Sequence, residues 1–295
     1  MSSVEERTAR ATSTLVDRVA AVELRVTDVG RALEFYSGVV GLEVYERDER
    51  RATLGAPGGP ALLTVRSDGV EGPAEPGATG LFHVAIRFPT RAALGDVLAR
   101  LVAAGVEIGA GDHAVSEALY VDDPDGNGVE LYRDRPVEQW PAPTSDALVP
   151  MVTEPVDLRG VLAEGAGDGA VGAPAARGTD VGHVHLQVAD VERSVAFYVD
   201  ELGLDLTARM GSQAAFFSSN AYHHHVGANS WRSRGGSPAS SGRAGLDRIV
   251  FAVPGPERLE RLRARLEARG HALAGDGGGV TVRDPDGVAL TFVAA

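Results

Sequence analysis

The chain of 295 residues contains no cysteine. That excludes a disulfide framework, a thiolate metal site and a cysteine nucleophile. It also fits a reducing cytoplasm, the expected compartment. Basic residues are in deficit: 28 Lys and Arg stand against 41 Asp and Glu, a net charge of −13 at pH 7. So acidic a chain speaks against nucleic acid and against an anionic membrane as partner. No apolar run approaches the roughly 18 residues that a membrane span needs. Residues 1–17 mix Glu, Asp and Arg without an apolar core, so they read as a flexible tail rather than a signal peptide or anchor. The remaining composition, 44% hydrophobic and 23% charged, is that of a globular protein of one to three domains.

The chain repeats itself. Residues 21–42 (AVELRVTDVGRALEFYSGVVGL) align with residues 183–204 (HVHLQVADVERSVAFYVDELGL) at an offset of 162, and such duplication outranks any local reading. Residues 81–89 (LFHVAIRFP) match 246–254 (LDRIVFAVP), and DPDG recurs at 123–126 and 284–287. Each repeat opens with an alternating strand such as Val22, Leu24, Val26. Asp28 or Asp190 follows in an N-cap position. A helix comes next, apolar at Val29, Leu33, Tyr36 and Val40 or at Val191, Val195, Tyr198 and Leu202, and closed by Gly41 or Gly203. Two further helices are expected over 91–104 and 257–269. Short strands with glycine turns fill the rest. The grammar is βαβββ, four times, over 18–75, 79–138, 179–235 and 243–295. Residues 141–178, rich in Ala, Gly and Pro, read as a linker with room for a short helix at 151–162. The expected division is a tail at 1–17, a first domain at 18–140, the linker, and a second domain at 179–295.

Chemistry concentrates in residues 113–130, HAVSEALYVDDPDGNGVE. His113, Tyr120 and Glu130 at that spacing suit a metal-binding carboxylate with a proton-handling Tyr and His beside it. DPDG alone is turn chemistry. His83 lies in a strand otherwise of Val, Ala, Ile and Phe. His183 and His185 alternate onto one face, so either is a candidate ligand. In the run His223, His224, His225 the middle member faces opposite to its neighbours. Module one offers only Glu23, read as an exposed strand residue. Module four has Arg248 and Thr291 where His83 and Glu130 stand in module two, so modules one and four carry no site.

These residues and the modular grammar resemble the vicinal-oxygen-chelate superfamily, and within it the extradiol ring-cleavage dioxygenases. The resemblance implies an α+β fold of four βαβββ modules in two domains, with modules paired into curved sheets that cup a metal. It implies Fe(II), with Mn(II) as the alternative, held by His183, His83 and Glu130. His224 falls on the acid/base histidine of such enzymes, and Tyr120 and His113 fall on two further pocket residues. Fragment 222–231 (YHHHVGANSW) resembles a catechol-2,3-dioxygenase-like subgroup. Two imidazoles and one carboxylate on one face of a metal leave positions open for a catecholate and O2. The implied reaction inserts both oxygen atoms into an aromatic diol, and the implied protein works away from membranes, with a homo-oligomer as one option.

One departure matters. The better-known two-domain enzymes keep their half-sites in modules three and four, whereas here they fall in two and three. Modules two and three are therefore expected to share a cup, within one chain across the linker or between chains. Two other functions stay open: a glyoxalase-like metal-dependent lyase or isomerase, and a metal-free small-molecule binding or resistance protein of the same fold. Segment 232–244 (RSRGGSPASSGRA) reads either as a loop over the pocket or as a flexible turn.

Overall fold

The computed structural model describes residues 2–167, 169–275 and 278–295; Met1 of the expected tail and Asp168 of the expected linker lie outside them. Module one supplies β1 (Arg18–Arg25), β2 (Glu43–Arg47), β3 (Arg51–Gly55) and β4 (Ala61–Arg66). Module two supplies β5 (Gly80–Arg87), β6 (Gly109–Asp112), β7 (Ser116–Asp122) and β8 (Gly128–Asp134). Module three supplies β9 (Asp180–Gln187), β10 (Asp205–Met210), β11 (Ala214–Ser218) and β12 (Val226–Asn229). Module four supplies β13 (Gly245–Val253), β14 (Val280–Arg283) and β15 (Ala289–Ala294).

The two repeated helices start as the sequence predicts. The Asp28 side chain accepts from the amide of Arg31 at 2.8 Å, and Asp190 accepts from Arg193 at 3.0 Å, which satisfies donors that a helix start leaves unpaired. The helices Val29–Leu33 and Val191–Val195 then widen into π-helical turns at Glu34–Val39 and Ala196–Leu202. Gly41 (φ 92°) and Gly203 (φ 93°) end them in the left-handed region that favours glycine. Helices Arg91–Ala103 and Pro256–Ala268 form in the two other expected places.

Strand pairing cuts across the sequential halves. One sheet of eight strands runs β10-β11-β12-β9-β5-β8-β7-β6, so it joins module three to module two; the other, of seven, runs β14-β15-β13-β1-β4-β3-β2 and joins module four to module one. Antiparallel pairs β5–β9 and β1–β13 form the two seams. Modules two and three therefore share a cup within one chain.

The sequential halves are tied by a different device. Tyr36 of module one donates its hydroxyl to Asp123 of module two at 2.9 Å, and Tyr198 of module three donates to Asp284 of module four at 3.0 Å. Asp125 accepts from Thr27, and Asp286 accepts from Ala189 and Arg193. The two DPDG turns are thus latches as well as turns. All four ring and carboxyl partners are buried, so each hydrogen bond also offsets a desolvation penalty.

Two segments differ from expectation. Residues Ser3–Arg10, expected within a flexible tail, form a helix with a Ser2/Glu5 capping box. It docks through a buried arginine: Arg7 donates to the carbonyls of Pro141 and Val137 and lies over the Trp140 ring at 5.3 Å. An anchor made by a guanidinium leaves no apolar stripe to read. In the linker the helix starts late, at Leu158–Glu164, because Pro155 disfavours helical geometry in the residue before it. That helix packs on Arg91–Ala103 at Gly95, where a side chain would run into the Val161 carbonyl.

Burial pushes the Asp284 carboxyl up to about 6. A folded pKa above the unfolded one means stability that is fully present below about pH 3.8 and lost as pH rises through about 6. Holding that carboxyl ionised in the fold costs about 3 kcal/mol. Thermal unfolding followed from pH 5 to pH 8 is expected to show this loss in the wild type and a flatter profile in Asp284→Asn.

Candidate metal centre

The register of the eight-stranded sheet assembles the site. Ala85 on β5 lies opposite Glu130 on β8 and opposite His183 on β9, while Tyr120 on β7 lies opposite Glu130. The row Tyr120, Glu130, Ala85, His183 therefore crosses four strands on one face. His83 sits two residues before Ala85, on the same face, and opposite His185. Ala85 is fully buried, and its methyl leaves room between its long neighbours.

Into that room three side chains converge. The Nε2 atoms of His83 and His183 lie 2.8 and 3.1 Å from Oε2 of Glu130. One donor atom from each residue lies within 4.8 Å of the others. All three residues are buried. Nε2 of His83 has no hydrogen-bond partner despite its closeness to the carboxylate: it faces the convergence point without the angle of a hydrogen bond. A buried imidazole nitrogen left in this way fits a cation at that point, where lone pairs converge rather than a donor and an acceptor.

Electrostatics agree. Burial disfavours the Glu130 charge, but His183 and His83 beside it hold its carboxyl well below the usual carboxylate range. Burial takes His183 down to about 4, against the pull of Glu130. At neutral pH Glu130 is a carboxylate and His183 a neutral imidazole, the forms that bind a cation.

The other expected residues surround the trio. The ring of His224 lies 4.1 Å from that of His183, centre to centre. Burial holds its pKa well below the ordinary histidine value. Tyr120 packs 5.6 Å from the His83 ring, and burial together with Glu130 pushes its hydroxyl pKa well up. His113 bonds through Nε2 to the Tyr120 hydroxyl at 2.6 Å and through Nδ1 to the Val152 carbonyl at 2.7 Å. A carbonyl only accepts, so Nδ1 carries the proton and Nε2 accepts from Tyr120. The linker thus sets the tautomer of a site residue. Of the two histidines on β9, His183 belongs both to this trio and to a second metal-capable group, His183, His223 and His224, and His185 belongs to neither. His185 lies among Phe82, Phe216 and Trp231 at 5.2–5.7 Å, over Gly227, where a side chain would strike its ring.

Sequence reasoning missed Asp134, Arg87 and Tyr222. His223 meets Asp134, which also accepts from Arg87 and Tyr222. Alternation was the available signal, since Glu130, Tyr132 and Asp134 share one strand face. Segment 232–244 crosses to the connection between modules one and two, with Ser240 bonded to Glu75 and Arg243 bridged to Gly72. In the other sheet Glu23 is half-buried opposite Arg248, 3.8 Å away. Thr281 and Thr291 share a hydroxyl hydrogen bond of 2.8 Å. Among the described residues no metal-capable group draws on that sheet.

The family profile described as Glyoxalase/Bleomycin resistance protein/Dioxygenase superfamily matches residues 17–131 and 180–292, well over half the chain. The chain belongs to this superfamily. The two matched stretches are the sequential halves, so each family unit gives one module to each sheet. A protein of Bacillus subtilis (strain 168) named catechol-2,3-dioxygenase is 38% identical over 282 residues, covering 93% of this chain and 96% of that one. Among solved structures, a Bacillus subtilis protein provisionally named a dioxygenase superposes with a TM-score of 0.63 at 13% identity, over 96% of this chain and 86% of that one. A glyoxalase I variant from Zea mays superposes with a TM-score of 0.55 at 18% identity, over 99% and 96%. At such identities these two show the shared superfamily fold alone.

Leucine in place of Ala85 would fill the space over which the trio converges, at about 1–3 kcal/mol of overpacking. Ala85→Leu is expected to fold, by circular dichroism, and to lose divalent metal by elemental analysis. Full metal content in the variant would show that the donors converge elsewhere.

Proposed function

We propose that this superfamily member is a non-haem Fe(II)-dependent extradiol dioxygenase that inserts both atoms of O2 into a catechol-like aromatic diol. The observation that carries the reading is the buried group of His83, Glu130 and His183 from two modules, with a Tyr–His pair on one side and His224 on the other. The relative named catechol-2,3-dioxygenase supports it across nearly the whole chain. Two imidazoles and one carboxylate on one face are the donor set of non-haem Fe(II) oxygenases, and Mn(II) takes the same donors. The bound ion supplies an electron path between diol and O2, with open positions for both.

The chain's own residues divide the remaining work. His83, His183 and Glu130 hold the ion. His224, neutral because buried, takes a proton from the diol. Tyr120, its pKa raised, stays protonated and donates that proton to His113, so its hydroxyl oxygen is left to the cup as an acceptor. Phe82, Phe216 and Trp231 pack around His185, two residues along β9 from His183, and such aromatic surface suits a flat ring.

Anaerobic reconstitution with Fe(II), addition of catechol and admission of air is expected to yield a yellow ring-fission product that requires iron. Tightly bound metal without that product would favour a glyoxalase-like lyase or isomerase. No metal binding at all would favour a binding protein. Glu130→Ala is expected to lose metal and activity together while remaining folded; ring cleavage that survives it would refute the ligand assignment. His224→Ala is expected to keep its iron, by elemental analysis, and to turn over about 10²–10⁴-fold more slowly. Loss of iron would instead make His224 a ligand.

A further inference from the structure

A neutral imidazole has one donor and one acceptor, so a partner that can act in only one way dictates its tautomer. Beside the metal centre two imidazoles and a carboxylate stand in a chain. Oδ1 of Asp134 lies 2.9 Å from Nε2 of His223, and Nδ1 of His223 lies 2.8 Å from Nδ1 of His224. His223 is fully buried. Burial opposes the charge of Asp134, but His223 and Arg87 hold its carboxyl below its ordinary value, so it is an acceptor only.

The chain can therefore be read from one end. Asp134 accepts, so Nε2 of His223 carries the proton. An imidazole that carries its one proton at Nε2 offers Nδ1 only as an acceptor. The partner atom, Nδ1 of His224, must be the donor. The only lone pair left on His224 is at Nε2.

We propose that Asp134 is a positioning residue: acting through His223, it locks His224 in the Nδ1-protonated tautomer and so keeps Nε2 basic. The part of the inference that concerns turnover rests on the proposed function, since it makes Nε2 the atom that receives the proton of the diol. The assignment of tautomers rests on the hydrogen bonds alone.

The other oxygen of Asp134 makes the idea testable by a single-atom change. Oδ2 accepts from Nη1 of Arg87 at 2.9 Å and from the Tyr222 hydroxyl at 3.0 Å. Arg87 is itself fixed by two hydrogen bonds to Asp180, at 2.9 and 2.7 Å, and a guanidinium can only donate. In Asp134→Asn the single amide oxygen turns to Arg87, and the NH2 group faces His223. Nε2 of His223 must then accept, its Nδ1 must donate, and Nδ1 of His224 must accept. The proton of His224 moves to Nε2, and the base is lost with shape and volume nearly unchanged. The logic is that of the carboxylate–histidine pair in the serine-protease triad, where the same substitution inverts a tautomer.

The test is imidazole 15N NMR on histidine-labelled protein at pH 8, metal-free and with Zn(II) as a diamagnetic ion, with the His224 signals assigned by comparison with His224→Gln. In the wild type, His224 is expected to be protonated at Nδ1 and bare at Nε2. In Asp134→Asn the two positions are expected to exchange. The iron-loaded variant is expected to bind diol with unchanged KM and to lose kcat on the order of 10²–10⁴-fold. A wild-type His224 protonated at Nε2, a doubly protonated His223, or an Asp134→Asn protein with unchanged tautomers would overturn the proposal. Should the variant not fold, the wild-type spectrum decides by itself. These spectra are independent of turnover: the expected tautomers in a protein that opens no catechol ring would refute the proposed function and leave the assignment standing.

Discussion

The pairing of β5 with β9 is the contact on which the rest of the molecule depends. It brings together residues about a hundred positions apart, setting His83 against His185 and Ala85 against His183. Without it the first two donors of the metal centre would sit on one module and the third on another, with nothing to close the distance. Closing so long a loop is entropically unfavourable, and buried apolar rows on both sides of the seam offset it, among them Val84, Ile86, Val184 and Leu186. Register is strict here because a slip of one residue would turn every donor to the opposite face.

Two kinds of joint hold the four modules. Sheet seams join two with three and one with four, while tyrosine–aspartate latches join one with two and three with four. Each module is thus bound to one partner by backbone ladders and to another by buried side chains. The arrangement explains how sequence units that match the family one after the other can still build a site at their junction. In the second cup Glu23 and Arg248 form a 3.8 Å ion pair and Thr281 and Thr291 share a hydrogen bond where the first cup carries its donors.

Within the site, burial does opposite work on different groups. It favours neutral imidazoles at His183 and His224. It would also neutralise Glu130, but the two histidines beside it prevent that. A buried carboxylate beside imidazole nitrogens suits a divalent cation. Charges that the pocket does not need are moved outward: Asp134 is matched by Arg87, which Asp180 holds in turn.

Much of this was legible in the chain. The duplication, the N-capping Asp28 and Asp190, and the closing Gly41 and Gly203 come from local spacing, because caps, turns and strand alternation are short-range physics; the candidates His83, Glu130, His183, His224, Tyr120 and His113 come from the family resemblance of the motifs that carry them. Alternation alone did not choose between His183 and His185, which occupy one face; the family resemblance favoured His183, and the positions of β5 and β8 set that residue beside Glu130. The anchoring of residues 3–10 by Arg7, the hold of Val152 on His113 and the chain from Asp134 to His224 were not legible, since each joins groups distant in sequence. The sequence by itself determined which groups of what chemistry the protein carries and which face of each strand bears them. Tertiary structure alone decided which strands lie side by side, and with that which lone pairs meet, because a donor set exists only where separate strands bring their atoms within bonding distance.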